Sequence, residues 1–326
     1  MADTAEKRLV RKRGTSTSEE SAPGQTGSDK FATAYVPEPS LADRYVHRSI
    51  HGVEDFQLLD YARSSHQNVL LQGDTGSGKT MVGAAYAAAK GDWYYSLPCD
   101  VSIDPTALFG KMGLSEKAGT FEWVDGPVTQ IVRTGGVLNI SEINFMPPKI
   151  AASLYPLLDG RRYVPLLGHK GEVVHAHPRL LVVADMNPNY RGTIELNDAF
   201  RNRFPIKVAW GYDLAVEERL VKSAELREIV RKLRAMGTEI ATPVSTNLLM
   251  EFERMAVDPA LTFDFAVANF IMAFRSNERD AVRNVLDMSL SKVQQELGLA
   301  DEEEEELVDL SDDEFYFAEA TDDDKK

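Results

Sequence analysis

The sequence predicts an α/β fold: an αβα sandwich on a parallel sheet of about five strands, followed by a helical lid domain. Residues 36–211 alternate short β-rich runs with helical patterns, which is typical of a parallel sheet covered by helices on both faces. Residues 212–298 are almost entirely helical in pattern and predict the second, smaller domain. A chain of 326 residues is long enough to bury a core in each domain.

Two tails flank these domains. Residues 1–35 are rich in Ser, Thr, Gly and charged residues, so they hold too little apolar surface to offset the entropy of ordering. Residues 301–326 hold 14 acidic residues against two lysines, a net −12 of the chain's −15. We expect 1–35 and 299–326 to be disordered. The near-neutral remainder shows no basic face, so nucleic acid is not an expected partner.

The composition favours a cytoplasmic protein without a membrane segment. No apolar run approaches the ~20 residues that a membrane-spanning helix needs. The N-terminus lacks the apolar stretch of a secretory signal. The single cysteine, Cys99, cannot form an internal disulfide, which fits a reducing compartment.

The first predicted strand runs directly into a glycine-rich loop. Asn68–Gln72 is an apolar run, and Gly73–Thr80 follows it with the pattern G-x-x-x-x-G-K-[ST]. This is the Walker A motif in its strand–loop–helix context, so it predicts a P-loop nucleotide site. The apolar side of the following helix is predicted to hold Met81, Val82, Ala85 and Ala88.

The residue types in this loop suit the binding of phosphate groups. Glycines let the backbone approach the phosphates, and loop N–H groups and the helix N-terminus point at them. Lys79 offers a positive charge to the β and γ oxygens, and Thr80 offers its hydroxyl to Mg²⁺. ATP and Mg²⁺ are therefore the predicted cofactors. The loop residues predicted to bind the nucleotide are Gly73, Asp74, Thr75, Gly76, Ser77, Gly78, Lys79 and Thr80.

A second strand, Gly135–Ile140, ends in Ser141 and Glu142. In P-loop proteins this strand normally ends in Asp or Asp-Glu, where the Asp holds the magnesium shell and the Glu polarises the attacking water. Glu142 is therefore a candidate catalytic residue, and Ser141 joins Thr80 as a metal position. Because serine lacks the carboxylate, we expect weak magnesium support and slow hydrolysis, unless another acid such as Asp185 has taken the role.

A third strand and a short helix supply further candidates. The strand Arg179–Met186 ends at Asn187-Pro188-Asn189, where the Asn187 amide could orient water or simply form a turn. A short helix within Leu196–Phe204 leads into a last strand, and it carries Arg201 and Arg203. Either arginine is a surface charge or, in a ring, a group that reaches into the neighbouring subunit's site.

The order of these parts resembles the MoxR-type AAA+ ATPases of the dynein-related subfamily, which include CbbQ/NirQ, gas-vesicle GvpN and cobaltochelatase small-subunit proteins. The likeness covers roughly residues 36–290. Asn187 matches their sensor 1, and the region of Arg201 and Arg203 matches their arginine finger. Further matching segments are the hairpin Thr120–Pro127, Glu142–Asn144, the helix Pro148–Leu158 with its Gly160–Arg162 turn, and the hairpin Arg162–His177.

The resemblance implies a strand order of 5-1-4-3-2, with nucleotide at the carboxyl edge of the sheet between base and lid. It implies that Gly52 and Val53, ahead of the helix Glu54–Ser64, lie on the adenine side. It also implies a homo-oligomeric ring, in relatives a hexamer, and a protein client, often one with a von Willebrand A domain. Asn247 stands where many relatives carry a sensor 2 arginine.

Three functions follow from these residues. The first is a ring that hydrolyses ATP and remodels a protein client, as Glu142, Asn187 and Arg203 favour. The second is a nucleotide-gated assembly scaffold with little turnover, as Ser141 and Asn247 favour. The third, a motor acting on DNA, fits poorly with the acidic charge balance.

Overall fold

The computed structural model describes residues 34–99, 104–115, 119–188 and 196–299. The predicted tails lie almost wholly outside these ranges, as does Asn189. Tyr35 was assigned to the N-terminal tail, but it pairs with Tyr94 through two backbone hydrogen bonds of 3.0 and 2.7 Å. At the other end, Leu299 packs against the lid core. Both boundaries are therefore corrected, because these apolar side chains pack on the folded domains.

A five-stranded parallel sheet in the order β11-β3-β10-β7-β4 forms the base of the molecule. With the sheet strands numbered along the chain, this is the predicted order 5-1-4-3-2, and the predicted α/β fold is confirmed. The strands are β1 (Ser49–Ile50), β2 (Val53–Glu54), β3 (Val69–Gln72), β4 (Tyr94–Pro98), β5 (Gly110–Leu114), β6 (Phe121–Asp125), β7 (Gly136–Ser141), β8 (Tyr163–Leu166), β9 (Glu172–His175), β10 (Leu180–Met186) and β11 (Ile206–Ala209).

Helices cover both faces of this sheet. The strands β7 and β10 are buried along almost their whole length, which explains their continuous apolar sequences. The helices are α1 (Ser40–Arg44), α2 (Asp55–Ser64), α3 (Lys79–Lys90), α4 (Pro105–Phe109), α5 (Pro127–Thr134), α6 (Pro148–Leu158), α7 (Asp198–Arg201), α8 (Leu214–Leu220), α9 (Ala224–Ala235), α10 (Thr246–Ala256), α11 (Phe263–Met272), α12 (Arg279–Asp287) and α13 (Leu290–Glu296).

Successive strand residues alternate between the two helical layers, as the pleat of a strand requires. Val137, Val183 and Leu71 pack in the cluster that holds α2 and α3. Leu138 and Ala184 pack in the cluster that holds α5 and α6. This alternation decides which polar side chains at the strand ends face α3 and the phosphate-binding loop.

Two antiparallel hairpins belong to the α/β domain: one lies within the predicted segment Arg162–His177, whereas the predicted segment Thr120–Pro127 supplies only the second strand of the other. β5 pairs with β6 ahead of β7, and β8 pairs with β9 ahead of β10. The hairpins touch through a stacked pair, Trp123 and His169, whose ring centroids are 5.0 Å apart.

The helices α8–α13 bury their own apolar cluster, with Phe252, Phe270 and Phe274 at its centre. Side chains at the N-caps of α8, α9, α10 and α11 accept hydrogen bonds from the first helical turns. The lid therefore has both a core and well-defined helix starts. None of the helices in the described ranges combines the length and apolar character needed to cross a bilayer.

Candidate nucleotide-binding site

The loop between β3 and α3 lies at the carboxyl edge of the sheet and depends on its glycines. Gly76 and Gly78 have φ of 71° and 86°, in the left-handed region that favours glycine. A Cβ at Gly73 would lie 1.8 Å from the carbonyl oxygen of Trp210, so the loop begins where two backbones touch. These contacts explain why the loop needs glycine at each of the three positions.

Lys79 begins α3 and folds back across the inside of this loop. Its side-chain nitrogen donates to the carbonyl oxygens of Gly73 at 2.9 Å and Asp74 at 2.6 Å. The residue is only 8% exposed, and this burial lowers the pKa of Lys79, although Asp185, Asp74 and Glu142 act in the opposite direction. The lysine charge is therefore held by two neutral carbonyls, which an anionic phosphate can replace.

Three oxygen-bearing side chains meet beside the first turn of α3, and we call them the oxygen cluster: Thr80, Ser141 and Asp185. The Asp185 carboxylate lies 3.1 Å from the Ser141 hydroxyl and 3.4 Å from the Thr80 hydroxyl. Of the two alternatives left open, a site weakened by Ser141 or another acid such as Asp185 in its place, these contacts favour the second, because β10 brings a carboxylate from the neighbouring strand. Carboxylate and hydroxyl oxygens are the donors that a hard cation such as Mg²⁺ prefers.

Two of the predicted catalytic residues, Glu142 and Asn187, lie on the same edge of the sheet. Glu142 follows β7 in the left-handed conformation, with φ 55°, and its side chain is exposed. The Asn187 amide donates to the hydroxyl of Thr75 at 2.9 Å, which connects the end of β10 to the loop. Asn144 donates to the carbonyl of Asn187 at 3.1 Å and fixes that strand end.

A cavity of about 590 Å³ opens from the loop toward the lid. Asn247 on α10 and Met81 on α3 are among the residues that line it. Met81 was predicted to pack in the core, but it is 49% exposed, because the helix turns this apolar side chain toward the cavity. The cavity thus lies between base and lid, where the resemblance places a nucleotide.

Gly52 and Val53 do not line this cavity. They lie in the tight β1–β2 hairpin, where Val53 is 43% exposed and a Cβ at Gly52 would meet no atom within 4 Å. The preceding segment supplies the lining instead, through Tyr45, Val46 and Arg48. The placement of Gly52 and Val53 on the adenine side therefore stays a prediction that the lining of this cavity does not support.

Arg48 is a site residue that sequence reasoning missed. Its guanidinium donates to the carbonyl of Ser77, donates to the carbonyl of Gly211 at 2.7 Å and lies over the Trp210 ring at 4.8 Å. Burial lowers the pKa of Arg48, although nearby acidic groups raise it in part. No local motif marks this arginine, because its partners are backbone carbonyls far away in the sequence.

The lid also contacts the loop directly. Tyr212, just before α8, donates its hydroxyl hydrogen to the carbonyl of Thr75 at 2.9 Å. The Arg234 guanidinium lies 3.9 Å from the Tyr212 ring centroid and pairs with buried Glu217. Tyr212 therefore connects the loop to Arg234 on α9 and, through it, to Glu217 on α8.

Arg201 and Arg203 lie away from the cavity of their own chain. Arg203 donates to the carbonyl of Ala199, and its guanidinium lies 3.9 Å from the Tyr155 ring centroid. The Nε atoms of both arginines are buried and lack a hydrogen-bond partner among the described residues. The structure does not bring either arginine to the site on the same chain.

A parallel sheet of this order, with a Walker A loop after its first strand and a helical lid over it, defines a P-loop protein of the AAA+ class. Residues 68–204 match the model of the AAA domain of the dynein-related subfamily. Protein NorQ of Paracoccus denitrificans is 27% identical over 250 residues, which cover 72% of this chain and 90% of NorQ. Over these stretches the chain is similar to AAA domains of the dynein-related subfamily and to NorQ, in line with the resemblance to MoxR-type AAA+ ATPases noted in its sequence.

Two further comparisons complete these findings. The Bacillus subtilis protein YojN is 38% identical over 142 residues, which cover 43% of this chain and 46% of YojN. The chain spans about half the length of YojN and of SH1500 from Staphylococcus haemolyticus. A crystal structure of NtrX from Brucella abortus in complex with ADP aligns with a TM-score of 0.42 and 15% identity, over 75% of this chain and 64% of NtrX.

Proposed function

We propose that this protein binds ATP with Mg²⁺ at the loop 73–80 and hydrolyses it. The observation that carries the proposal is the convergence of Lys79, the oxygen cluster and Asn187 at one edge of the sheet. Each group has a part to play in phosphate chemistry, and each comes from a different strand end or helix start. A glycine-rich turn without a nucleotide would not need this set.

The residues divide the chemistry among them. Lys79 exchanges its two carbonyl partners for phosphate oxygens, and the oxygen cluster holds the cation. A bound Mg²⁺ would supply positive charge that offsets the negative charge developing on the phosphates. Glu142 polarises the attacking water, and Asn187 helps to position that water from the end of the neighbouring strand β10.

We propose that the protein works as a homo-oligomeric ring, of six subunits as in related proteins, in the cytoplasm. Support comes from Arg201 and Arg203, which are distant from their own chain's cavity and so are available to a neighbouring subunit. The work of the ring is to remodel or activate a protein client, in line with the MoxR-type family. A protein with a von Willebrand A domain is the first client class to test.

A nucleotide-gated scaffold with little turnover is the second candidate function. The exposed Asn247 lines the lid side of the cavity, where it offers no positive charge to the phosphates. ATP would then close the lid onto the loop and promote assembly without rapid hydrolysis.

Phosphate release and particle size, measured together, distinguish the two functions. A hydrolysing ring loses phosphate release in Glu142→Gln but keeps its ATP-dependent particle size by light scattering. A scaffold shows the same low release in wild type and Glu142→Gln. The absence of ATP binding by calorimetry would contradict both proposals.

A further inference from the structure

Asp185 is the penultimate residue of β10, the strand next to β7, and lies beside the position where related P-loop proteins carry a carboxylate. β10 pairs in parallel with β7, with Ala184 opposite Ile140, so Asp185 and Ser141, the next residue of each strand, lie side by side. On its other side β10 pairs with β3, where Asp185 lies opposite Leu71. Because β10 lies between β7 and β3, Asp185 is one strand nearer than Ser141 to the strand that carries the loop.

The pleat directs the relevant side chains to one face of the sheet. Asn139 and Ser141 alternate with Ile140, which packs on the α5–α6 side, so both face α3. Asp185 likewise follows Ala184 and faces α3, whose first turn holds Thr80. The observed contacts agree, since Asp185 is within 3.4 Å of the Thr80 hydroxyl and 3.1 Å of the Ser141 hydroxyl.

Neutral donors hold the Asp185 carboxylate in place. The residue is only 3% exposed, and it accepts from the Ser141 hydroxyl, the Asn139 amide at 3.3 Å and the backbone N–H of Glu142 at 3.2 Å. Asn139 also donates to Ser141 at 2.8 Å, which fixes the serine between its two neighbours. A buried carboxylate with neutral partners is costly in an empty site, and a bound cation would offset that cost.

We infer that Asp185 is the carboxylate of the magnesium shell and that Ser141 positions it. Related P-loop proteins carry this acid at the end of β7, whereas here β10 carries it as Asp185. The Ser141 hydroxyl is one of the hydrogen-bond donors that orient the Asp185 carboxylate. This inference rests on the proposed function, since it assigns a role at the MgATP site. It also removes the main reason to expect a slow enzyme from Ser141 alone.

The magnesium enhancement of nucleotide binding tests this inference without any need for turnover. A non-hydrolysable ATP analogue is titrated by calorimetry in saturating MgCl₂ and in excess EDTA, and the ratio of the two Kd values is the enhancement. We expect Asp185→Asn to reduce this ratio by about 10–100-fold, the effect typical of losing a group that supports a metal. Its Kd in EDTA should stay close to that of wild type, because the loop and Lys79 are intact.

Two further variants make the result specific. Ser141→Ala should keep most of the enhancement, because it removes a neutral donor and leaves the carboxylate. The exchange variant Ser141→Asp/Asp185→Ser should regain most of what Asp185→Asn loses, because the carboxylate returns to the end of β7. Full enhancement in Asp185→Asn, or a loss in Ser141→Ala as large as in Asp185→Asn, would overturn the inference.

Folding is checked for each variant by circular dichroism and thermal melts. If Asp185→Asn does not fold, the exchange variant and Ser141→Ala are used to test the inference instead. Loss of the magnesium enhancement in both of these variants would overturn it. A wild-type protein that binds the analogue in neither buffer would instead contradict the proposed function. The two failures can therefore be distinguished. If only the inference fails, wild type still binds the analogue; if the proposed function fails, wild type binds it in neither buffer.

Discussion

The side-chain amide of Asn187 donates a hydrogen bond to the hydroxyl of Thr75, with 2.9 Å between the two atoms. This contact joins the end of β10 to the phosphate-binding loop, two segments more than a hundred residues apart in the sequence. The backbone of Asn187 is held as well, because the side-chain amide of Asn144 donates a hydrogen bond to its carbonyl. The position of the amide is therefore set by the sheet and not by a flexible turn.

Asn187→Ala should lower ATP turnover by roughly 10²-fold, the effect of losing a positioning contact, with little change in ATP affinity. The reason is that the amide lies beside the loop, while the phosphates are held by backbone N–H groups and Lys79. Phosphate release and calorimetry measure the two effects separately. Asn202→Ala, at an exposed position after α7, is the matched control. Equal turnover in Asn187→Ala and the control would count against a role for Asn187 in positioning water.

Lys79→Ala should abolish ATP binding while the protein stays folded. The lysine nitrogen is held by two loop carbonyls and contributes no apolar packing, so its loss leaves the core intact. Nucleotide titration by calorimetry measures binding, and a thermal melt checks the fold. Lys90→Ala, at the other end of α3, is the control. Wild-type affinity in Lys79→Ala would remove this residue from the site.

Much of the base could be predicted because its pattern is local. Strands such as β10 are buried on both faces and therefore appear as continuous apolar runs, and the Walker A loop fixes the strand before it and the helix after it. The same rule failed for Met81, because apolar periodicity cannot distinguish a core residue from one that lines a cavity. The strand order came from the family resemblance, since spacing alone does not specify which strands pair.

The missed parts of the site depend on contacts that no local pattern records. Arg48 binds the carbonyls of Ser77 and Gly211, and backbone carbonyls carry no signature in the sequence. Asp185 reaches the hydroxyls of Ser141 and Thr80 only because β10 lies between β7 and β3. The sequence could therefore offer it as an alternative to Ser141 but could not choose between them.

Glu278→Gln should destabilise the lid, because the Glu278 carboxylate is 1% exposed and accepts from Thr242 and from the backbone N–H groups of Ala241 and Arg275. We expect a loss of about 1–3 kcal/mol at neutral pH, the usual cost of weakening buried hydrogen bonds to a charged group. Thermal and denaturant unfolding measure it. Glu239→Gln, at an exposed lid position, is the control and should stay close to wild type.

The stabilisation by Glu278 should also depend on pH. Burial alone would raise the pKa of Glu278, but hydrogen bonds from Thr242, Arg275 and Ala241 outweigh it and lower the pKa in the folded protein. Because the folded pKa lies below the unfolded value of about 4.3, the stabilisation is fully present above that value. It is lost as the pH falls through the folded pKa. A difference between wild type and Glu278→Gln that grows as the pH falls below about 4 would contradict this sign.

Arg203 should act on the nucleotide of the neighbouring subunit. Its guanidinium packs on Tyr155 and does not line the cavity of its own chain, so a role in catalysis requires a second copy. Arg203→Ala should keep ATP binding but lose turnover by roughly 10³–10⁵-fold, as when an arginine finger is removed. Phosphate release and calorimetry measure the two effects, with Arg161→Ala, an exposed arginine paired with Asp159, as the control.

Mixing variants tests whether Arg203 acts between subunits. Arg203→Ala subunits keep Glu142, and Glu142→Gln subunits keep Arg203, so mixed rings contain interfaces with both intact groups. Phosphate release should therefore reappear on mixing, although each variant alone is inactive, and light scattering confirms that rings have formed. Mixed rings that stay inactive would place Arg203 in the site of its own chain. Full turnover in Arg203→Ala alone would exclude it as the finger, and the same experiment would then be repeated with Arg201→Ala, since Arg201 ends α7 two residues before Arg203.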